Sequence, residues 1–306
     1  MAILAFESGG TKLVAGIADD SGKIFQTQKK IRKPDQTAPE TLKEICVLGS
    51  ELQEQVKTSI KAVGYGFGGP VSRLTGRPVR SYSESGWEDI DLPAALRDYF
   101  GVDAFVENDC NVAALGEALH GAGRGMRTVF YITIGTGCGG GLVHQGRILQ
   151  LGEHGEAEIG HLILDPDGPT CACGNSGCLE VFCSGPAIAR RARQLYGNLF
   201  PDARSVIQEF INKNPVAVTL MEEFCWRLGQ GVGSVATLFN PDIIVIGGGI
   251  CSAGEPMAEL VRYHARRYTF TPFKNRGQVM FSQLGENAVC QGAAAYARQR
   301  LEDKRD

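Results

Sequence analysis

The sequence predicts an α/β protein built by duplication of one domain. Three observations carry that reading. Residues 3–29 read as strand, glycine turn, strand, turn, strand, and residues 128–150 repeat the layout about 126 residues later. Two runs, Ala62 to Phe67 and Asp242 to Ile246, end in Gly68-Gly69-Pro70 and Gly247-Gly248-Gly249, as buried parallel strands do when their loops line a site. Helical periodicity appears in 39–60, 111–120, 185–196, 216–239 and 287–302. Strands alternating with helices indicate parallel pairing, and two such domains around a cleft would bring both glycine loops to its mouth.

In chain order, Ile3 to Phe6 is an apolar strand, Ser8-Gly9-Gly10-Thr11 a turn, and Lys12 to Ala18 a second strand. Asp19-Asp20-Ser21-Gly22 turns the chain into a third strand, Lys23 to Lys29. Pro39 opens a helix whose apolar face is Leu42, Ile45, Leu48, Leu52 and Val56. Segment 73–91 is polar and turn-rich, contains Trp87 and Asp89, and is a candidate substrate lid. In the second copy, Thr128 to Thr133 leads through Gly135-Thr136-Gly137 into Gly139 to Val143, with a turn near Gln145-Gly146. Gly121 to Gly125 is a flexible junction between the copies.

Composition excludes several classes. With 31 basic and 34 acidic residues in 306, the net charge of −3 creates no field to recruit nucleic acid or an anionic membrane. The apolar start is stopped by Glu7, and no window approaches the length of a transmembrane helix, so a cytoplasmic location is expected. Seven of the ten cysteines are scattered, as buried thiols are. The other three, Cys171, Cys173 and Cys178, lie within eight residues and follow His161.

That cluster supplies four soft or borderline ligands, and a Cys3His set closes a tetrahedral zinc site of the structural kind. Gly168, Gly174 and Gly177 allow the tight turns, and a loop as short as 161–180 cannot build its own core without a metal. Glu158 and Glu180 bracket it and are candidate acceptors for sugar hydroxyls. Gly9-Gly10-Thr11-Lys12 and Gly135-Thr136-Gly137 are candidate phosphate cradles, because glycine lets successive N–H groups converge on an anion. Neither fits a P-loop or a dinucleotide fingerprint. Asp109, at a strand-to-helix junction, reads either as a helix cap or as a base for phosphoryl transfer; the neighbouring Asn108 amide has donors and acceptors for hydroxyls.

Five motifs together resemble the ROK family of sugar kinases, within the actin/hexokinase-like superfamily: Glu7-Ser8-Gly9-Gly10-Thr11-Lys12, Glu107-Asn108-Asp109-Cys110-Asn111, Thr133 to Gly141, Glu158-Ile159-Gly160-His161, and Cys171 to Glu180. The resemblance covers essentially the whole chain. It implies two ribonuclease-H-like domains around a cleft, the smaller formed by 1–118 plus 288–306 and the larger by 119–287. It implies transfer of the ATP γ-phosphoryl to the 6-hydroxyl of a hexose, glucose first among them, with Asp109 as the base. Gly69, Asn108, Asp109, Glu158, His161 and Glu180 would contact the sugar, with His161 also a zinc ligand. Gly9, Gly10, Thr11, Lys12, Gly135, Thr136 and Gly137 would hold ATP phosphates, and Gly247, Gly248 and Gly249 would line the adenosine side. Mg2+, a structural Zn2+ and a homodimer are further implications.

The chain departs from the family pattern twice. Glu7 stands where an Asp usually helps to hold magnesium through water. Ser83 stands where the sugar loop usually carries an Asn four residues before the tryptophan, here Trp87. Fructokinase, mannokinase and N-acetylhexosamine kinase are the alternatives within the class. A sugar-sensing repressor is the alternative outside it; its helix-turn-helix extension finds no room before a phosphate loop starting at residue 7, and no basic recognition helix is present.

Overall fold

Ala2 to Ser8 is apolar on both faces for most of its length, and it becomes the middle strand of a covered sheet. The computed structural model describes residues 2–10, 12–33, 35–81, 84–153, 157–275 and 278–304. Strands β1 (Ala2–Ser8), β2 (Lys12–Ala18), β3 (Ile24–Ile31), β4 (Ile60–Phe67) and β5 (Asp103–Asn108) form one sheet in the order β3-β2-β1-β4-β5. β1 runs antiparallel to β2, with Phe6 opposite Ala15, and parallel to β4, with Phe6 opposite Tyr65. Every residue of β1 is buried, while edge strand β3 is largely exposed and carries Lys29 and Lys30, which discourages edge pairing.

Helices cover both faces of that sheet. On one side Gly49 of α1 (Ala38–Val56) lies so close to Phe6 that a Cβ there would come within 2.5 Å of its ring. On the other, α9 (Ala288–Asp303) lies across β4, its Ala293 carbonyl 2.1 Å from where a Cβ on Gly64 would stand. α9 also meets α3 (Asp109–His120) through Gly116 and Gly292. α2 (Leu92–Phe100) is capped by the Asp91 carboxylate and ends at Gly101 with φ 69°. The helix expected over 39–60 stops at Val56, because Lys57 takes φ 52° and its N–H turns back to the Gln53 carbonyl.

The second sheet contains β6 (Thr128–Ile134), β7 (Cys138–His144), β8 (Arg147–Ile148), β9 (Ile243–Gly247) and β10 (Gln278–Phe281), in the order β10-β9-β6-β7-β8. Read from the other edge, this is the first sheet's order, three consecutive strands followed by two from later crossovers. The duplication expected from the glycine loops is therefore present in the topology. Helices α4 (Leu179–Phe182), α5 (Gly185–Tyr196), α6 (Ala203–Ile211), α7 (Pro215–Phe239) and α8 (Gly254–Tyr268) follow the knuckle or separate the later strands. Gly229 and Gly233 of α7 let α8 approach at His264 and Tyr268.

The chain forms two compact units. Unit 1 comprises 1–124, 141–156 and 286–306, and unit 2 comprises 125–140 and 157–285. The 141–156 segment is held in unit 1 by the Gly141 approach to the Cys110 carbonyl, by Arg147 to Asp303, and by Gln299 Nε2 to the Gly146 carbonyl. Among the described residues, no helix is long and apolar enough to cross a membrane.

Candidate active site

In unit 1 the strand ends converge on one acidic centre. Asn108, not Asp109, caps α3: its Oδ1 accepts from the N–H groups of Cys110 and Asn111 at 2.9 and 3.1 Å. Its Nδ2 donates to the Gly69 carbonyl at 3.0 Å, which leaves one amide proton for a ligand. Asp109 is thereby the first helical residue, where the helix field favours a negative charge. Its Oδ1 accepts from the Cys110 N–H at 2.8 Å, and its Oδ2 faces Gly68, 3.7 Å from where a Cβ would stand. Gly69 has no such room, since a Cβ there would lie 2.3 Å from the Arg80 carbonyl.

The first glycine loop borders the same centre. Gly9 N–H closes a turn on the Lys12 carbonyl at 2.9 Å, and Lys12 Nζ lies 3.6 Å from Glu7 Oε1. Burial pushes the Glu7 carboxyl up to about 7, opposed by Lys12 and reinforced by Asp109. Glu7 Oε2 is buried and accepts no hydrogen bond from the described residues, an orphaned oxygen that fits the water shell of a cation. Thr11 and Ser83 lie outside the described residues.

In unit 2 the four candidate metal ligands come together. The ligand atoms of His161, Cys171, Cys173 and Cys178 all lie within 4.8 Å of one another. Cys173 Sγ to Cys178 Sγ is 3.7 Å, and Cys171 Sγ to His161 Nδ1 is 3.7 Å. A tetrahedral zinc with ordinary bond lengths needs about 3.8 Å between sulfurs and about 3.6 Å from sulfur to nitrogen, so the set fits. Short bridges Ile163 to Cys178 and Thr170 to Ser176 shape the knuckle, and Gly177 lies against the Asp165 backbone with φ 70°.

The knuckle is fastened to the second glycine loop. Glu180, two residues past Cys178, accepts from the Cys138 N–H at 2.9 Å. Gly160, beside His161, presses on the Cys138 carbonyl, and Gly185 N–H donates to the Gly135 carbonyl at 2.8 Å. Glu158 is exposed at the start of the turn that carries His161, whose N–H donates to its carbonyl at 3.0 Å.

The glycines at these loops differ in what requires them. A Cβ on Gly247 would meet the Tyr131 hydroxyl at 2.0 Å, and one on Gly248, at φ 88°, the Ile134 carbonyl at 2.2 Å. Gly10, Gly135 and Gly249 have nothing within 4 Å and no left-handed φ, so neither packing nor backbone conformation demands a glycine there. Close approach of a ligand to the backbone is the remaining reason for that choice. Sequence reasoning passed over Arg32 and Glu84, a buried ion pair at 2.9 Å, and the Cys138 N–H, because each acts through a partner remote in sequence.

Two sheets of one strand order, each with a glycine loop after its central strand, define an actin/hexokinase-like fold, and the second glycine loop is tied to a Cys3His knuckle. The chain belongs to the ROK family, whose model matches residues 3–300. It is 33% identical over 316 residues to a glucokinase of Streptomyces coelicolor, covering 97% of each. The structure of a ROK family glucokinase from Streptomyces griseus in complex with glucose and AMPPNP is 32% identical and superposes with a TM-score of 0.86, over 98% of this chain and 100% of that one. That of a ROK hexokinase from Thermus thermophilus is 30% identical with a TM-score of 0.87, over 99% and 100%.

Proposed function

We propose that the protein is an ATP-dependent hexose kinase that phosphorylates the 6-hydroxyl, with glucose as the first substrate to test. The observation that carries the reading is Asp109, a half-buried carboxylate with one oxygen held by the Cys110 N–H and the other facing the bare backbone of Gly68. An oxygen so placed takes the hydroxyl proton as the new O6–phosphorus bond forms and the bond from the γ-phosphorus to the ADP oxygen breaks. Asn108 offers its remaining amide proton to the sugar. Glu158 and Glu180 accept from sugar hydroxyls. With Nδ1 of His161 directed to the thiol cluster and taken by the metal, Nε2 would carry the ring proton and donate to the sugar.

Gly9, Gly10 and Lys12, with Gly135, Thr136 and Gly137, cradle the phosphates, and Gly247 to Gly249 line the adenosine. Magnesium, which neutralises charge on the phosphates when bound, would be held through water by Glu7. Zinc would be held by His161, Cys171, Cys173 and Cys178, and its chemistry there is structural. We further place the enzyme in the cytoplasm as a homodimer, and Thr11 in the first cradle.

The test is a coupled ADP assay with Mg-ATP and glucose, fructose, mannose and N-acetylmannosamine. Glucose should give the highest kcat/KM. Asp109→Asn should lower kcat by about 10² or more, the scale of a lost general base, with little change in stability. No ADP above background with any sugar would sink the proposal, and near-normal turnover of the variant would remove Asp109 from the role.

A further inference from the structure

Unit 1 contains a buried charge pair that the phosphoryl-transfer chemistry does not use. Arg32 lies just past β3 and Glu84 in the loop leading to Trp87. Their side chains are only 6% and 3% exposed, and Nη1 to Oε1 is 2.9 Å. The same Nη1 lies 3.5 Å from both the Gly9 and Gly10 carbonyls. The other oxygen of Glu84 accepts from Trp87 Nε1 at 2.9 Å. Trp87, 1% exposed, packs edge-on against Phe67 with ring centroids 5.3 Å apart, immediately before Gly68 and Gly69.

A buried ion pair is a poor device for stability, because desolvation offsets most of its attraction. This one joins two loops that are far apart in sequence. A trans peptide points its C=O and its N–H in opposite directions. With the Gly9 carbonyl turned toward Arg32, the Gly10 N–H of the same peptide is turned away from it, as an anion cradle needs. The carboxylate that neutralises Arg32 also fixes the indole of Trp87. Arginine suits the post, since its planar fork serves several acceptors at once.

We infer that Arg32 and Glu84 are positioning residues that lock the phosphate loop at Gly9-Gly10 to the sugar-side loop at Glu84–Trp87, so that hexose and nucleotide each bind tighter when the other is present. Ordering of one loop by its ligand then spares the other ligand that ordering, which is positive coupling. The inference rests on the hexose-kinase reading of these loops.

The experiment measures dissociation constants of glucose and AMPPNP, each alone and with the other saturating, for the wild type and for Arg32→Met/Glu84→Leu. Apolar replacement of a buried pair commonly preserves folding. The wild type should show coupling of about tenfold or more, and the double variant less than about twofold, with KM for both substrates raised and kcat within about threefold. A folded variant that keeps the wild-type coupling overturns the inference, as does a wild type that binds both ligands without coupling. If the double variant does not fold, Glu84→Gln, which retains an acceptor for Trp87 Nε1 but no charge for Arg32, takes its place under the same criteria. A wild type that binds neither glucose nor AMPPNP overturns the kinase reading itself.

Discussion

The two glycine loops occupy equivalent places in the duplicated sheets, yet different physics orders them. The loop after β1 is set by charge: Glu7, Lys12 and Arg32 surround it, and a Cβ on its Gly10 would meet nothing within 4 Å. The loop after β6 has no charged residue of its own; Glu180 holds its Cys138 end and Gly185 its Gly135 end. Glu180 is in turn fixed by the knuckle that begins at His161 and ends at Cys178. Duplication thus preserved the backbone path while one copy came to depend on ion pairs and the other on a Cys3His knuckle.

Removing zinc should break the second loop and spare the first, and it is the largest effect expected. Structural zinc sites contribute on the order of 10 kcal/mol to the folding of their own segment. A strong chelator, or Cys173→Ser, should abolish glucose phosphorylation and lower Tm by about 10 °C or more. Hydrogen exchange should then rise in 135–138 and 161–183 and stay near the wild-type level in 7–10. Elemental analysis with well under one zinc per chain in active protein would refute the dependence.

The Glu7 carboxyl tests the other side of the comparison. Burial raises it from 4.5 to about 7, so the folded state holds this proton more tightly than the unfolded chain does. Its contribution to stability is fully present below the unfolded value near 4.5 and is lost as pH rises through about 7. At about 1.4 kcal/mol for each pH unit, that is about 3 kcal/mol. Glu7→Gln should therefore flatten the stability profile between pH 4.5 and 8 in urea unfolding without magnesium. Parallel profiles for the two proteins would mean that burial does not raise the Glu7 carboxyl.

What the sequence made legible was local. The four candidate zinc ligands lie within 18 residues, and both glycine loops follow apolar strands, so each announces itself without a partner. The duplication was legible for the same reason. The Arg32–Glu84 pair spans 52 positions and Cys138 to Glu180 spans 42, and no spacing rule connects residues that only the fold brings together. Asn108 shows a subtler limit. Cap and base were both open to Asp109, and the choice depends on a helix starting one residue later than the cap, finer than periodicity resolves. Helices α2, α6 and α8 were not foreseen; they are amphipathic surface helices whose charged faces break up the apolar pattern.

The smallest effect separates the glycines of a single loop. A Cβ on Gly137 would stand 2.7 Å from Glu180 Oε2, the movable end of a side chain, so Gly137→Ala displaces the carboxylate rather than the backbone. The displaced oxygen no longer accepts from the Cys138 N–H, a loss of about 1–2 kcal/mol for a buried donor. A Cβ on Gly135 meets nothing within 4 Å, so Gly135→Ala costs the empty protein nothing and obstructs only what approaches the loop. Gly137→Ala should lower Tm by a few degrees and raise KM for both hexose and ATP, because in the proposed site Glu180 serves the sugar as well as the loop. Gly135→Ala should leave Tm unchanged and raise KM for ATP alone, about tenfold. Gly10→Ala should behave like Gly135→Ala, although it lies in the other unit. If Gly135→Ala destabilises the protein while Gly137→Ala does not, the second loop is not held by Glu180, and the contrast between a charge-set and a metal-set loop fails.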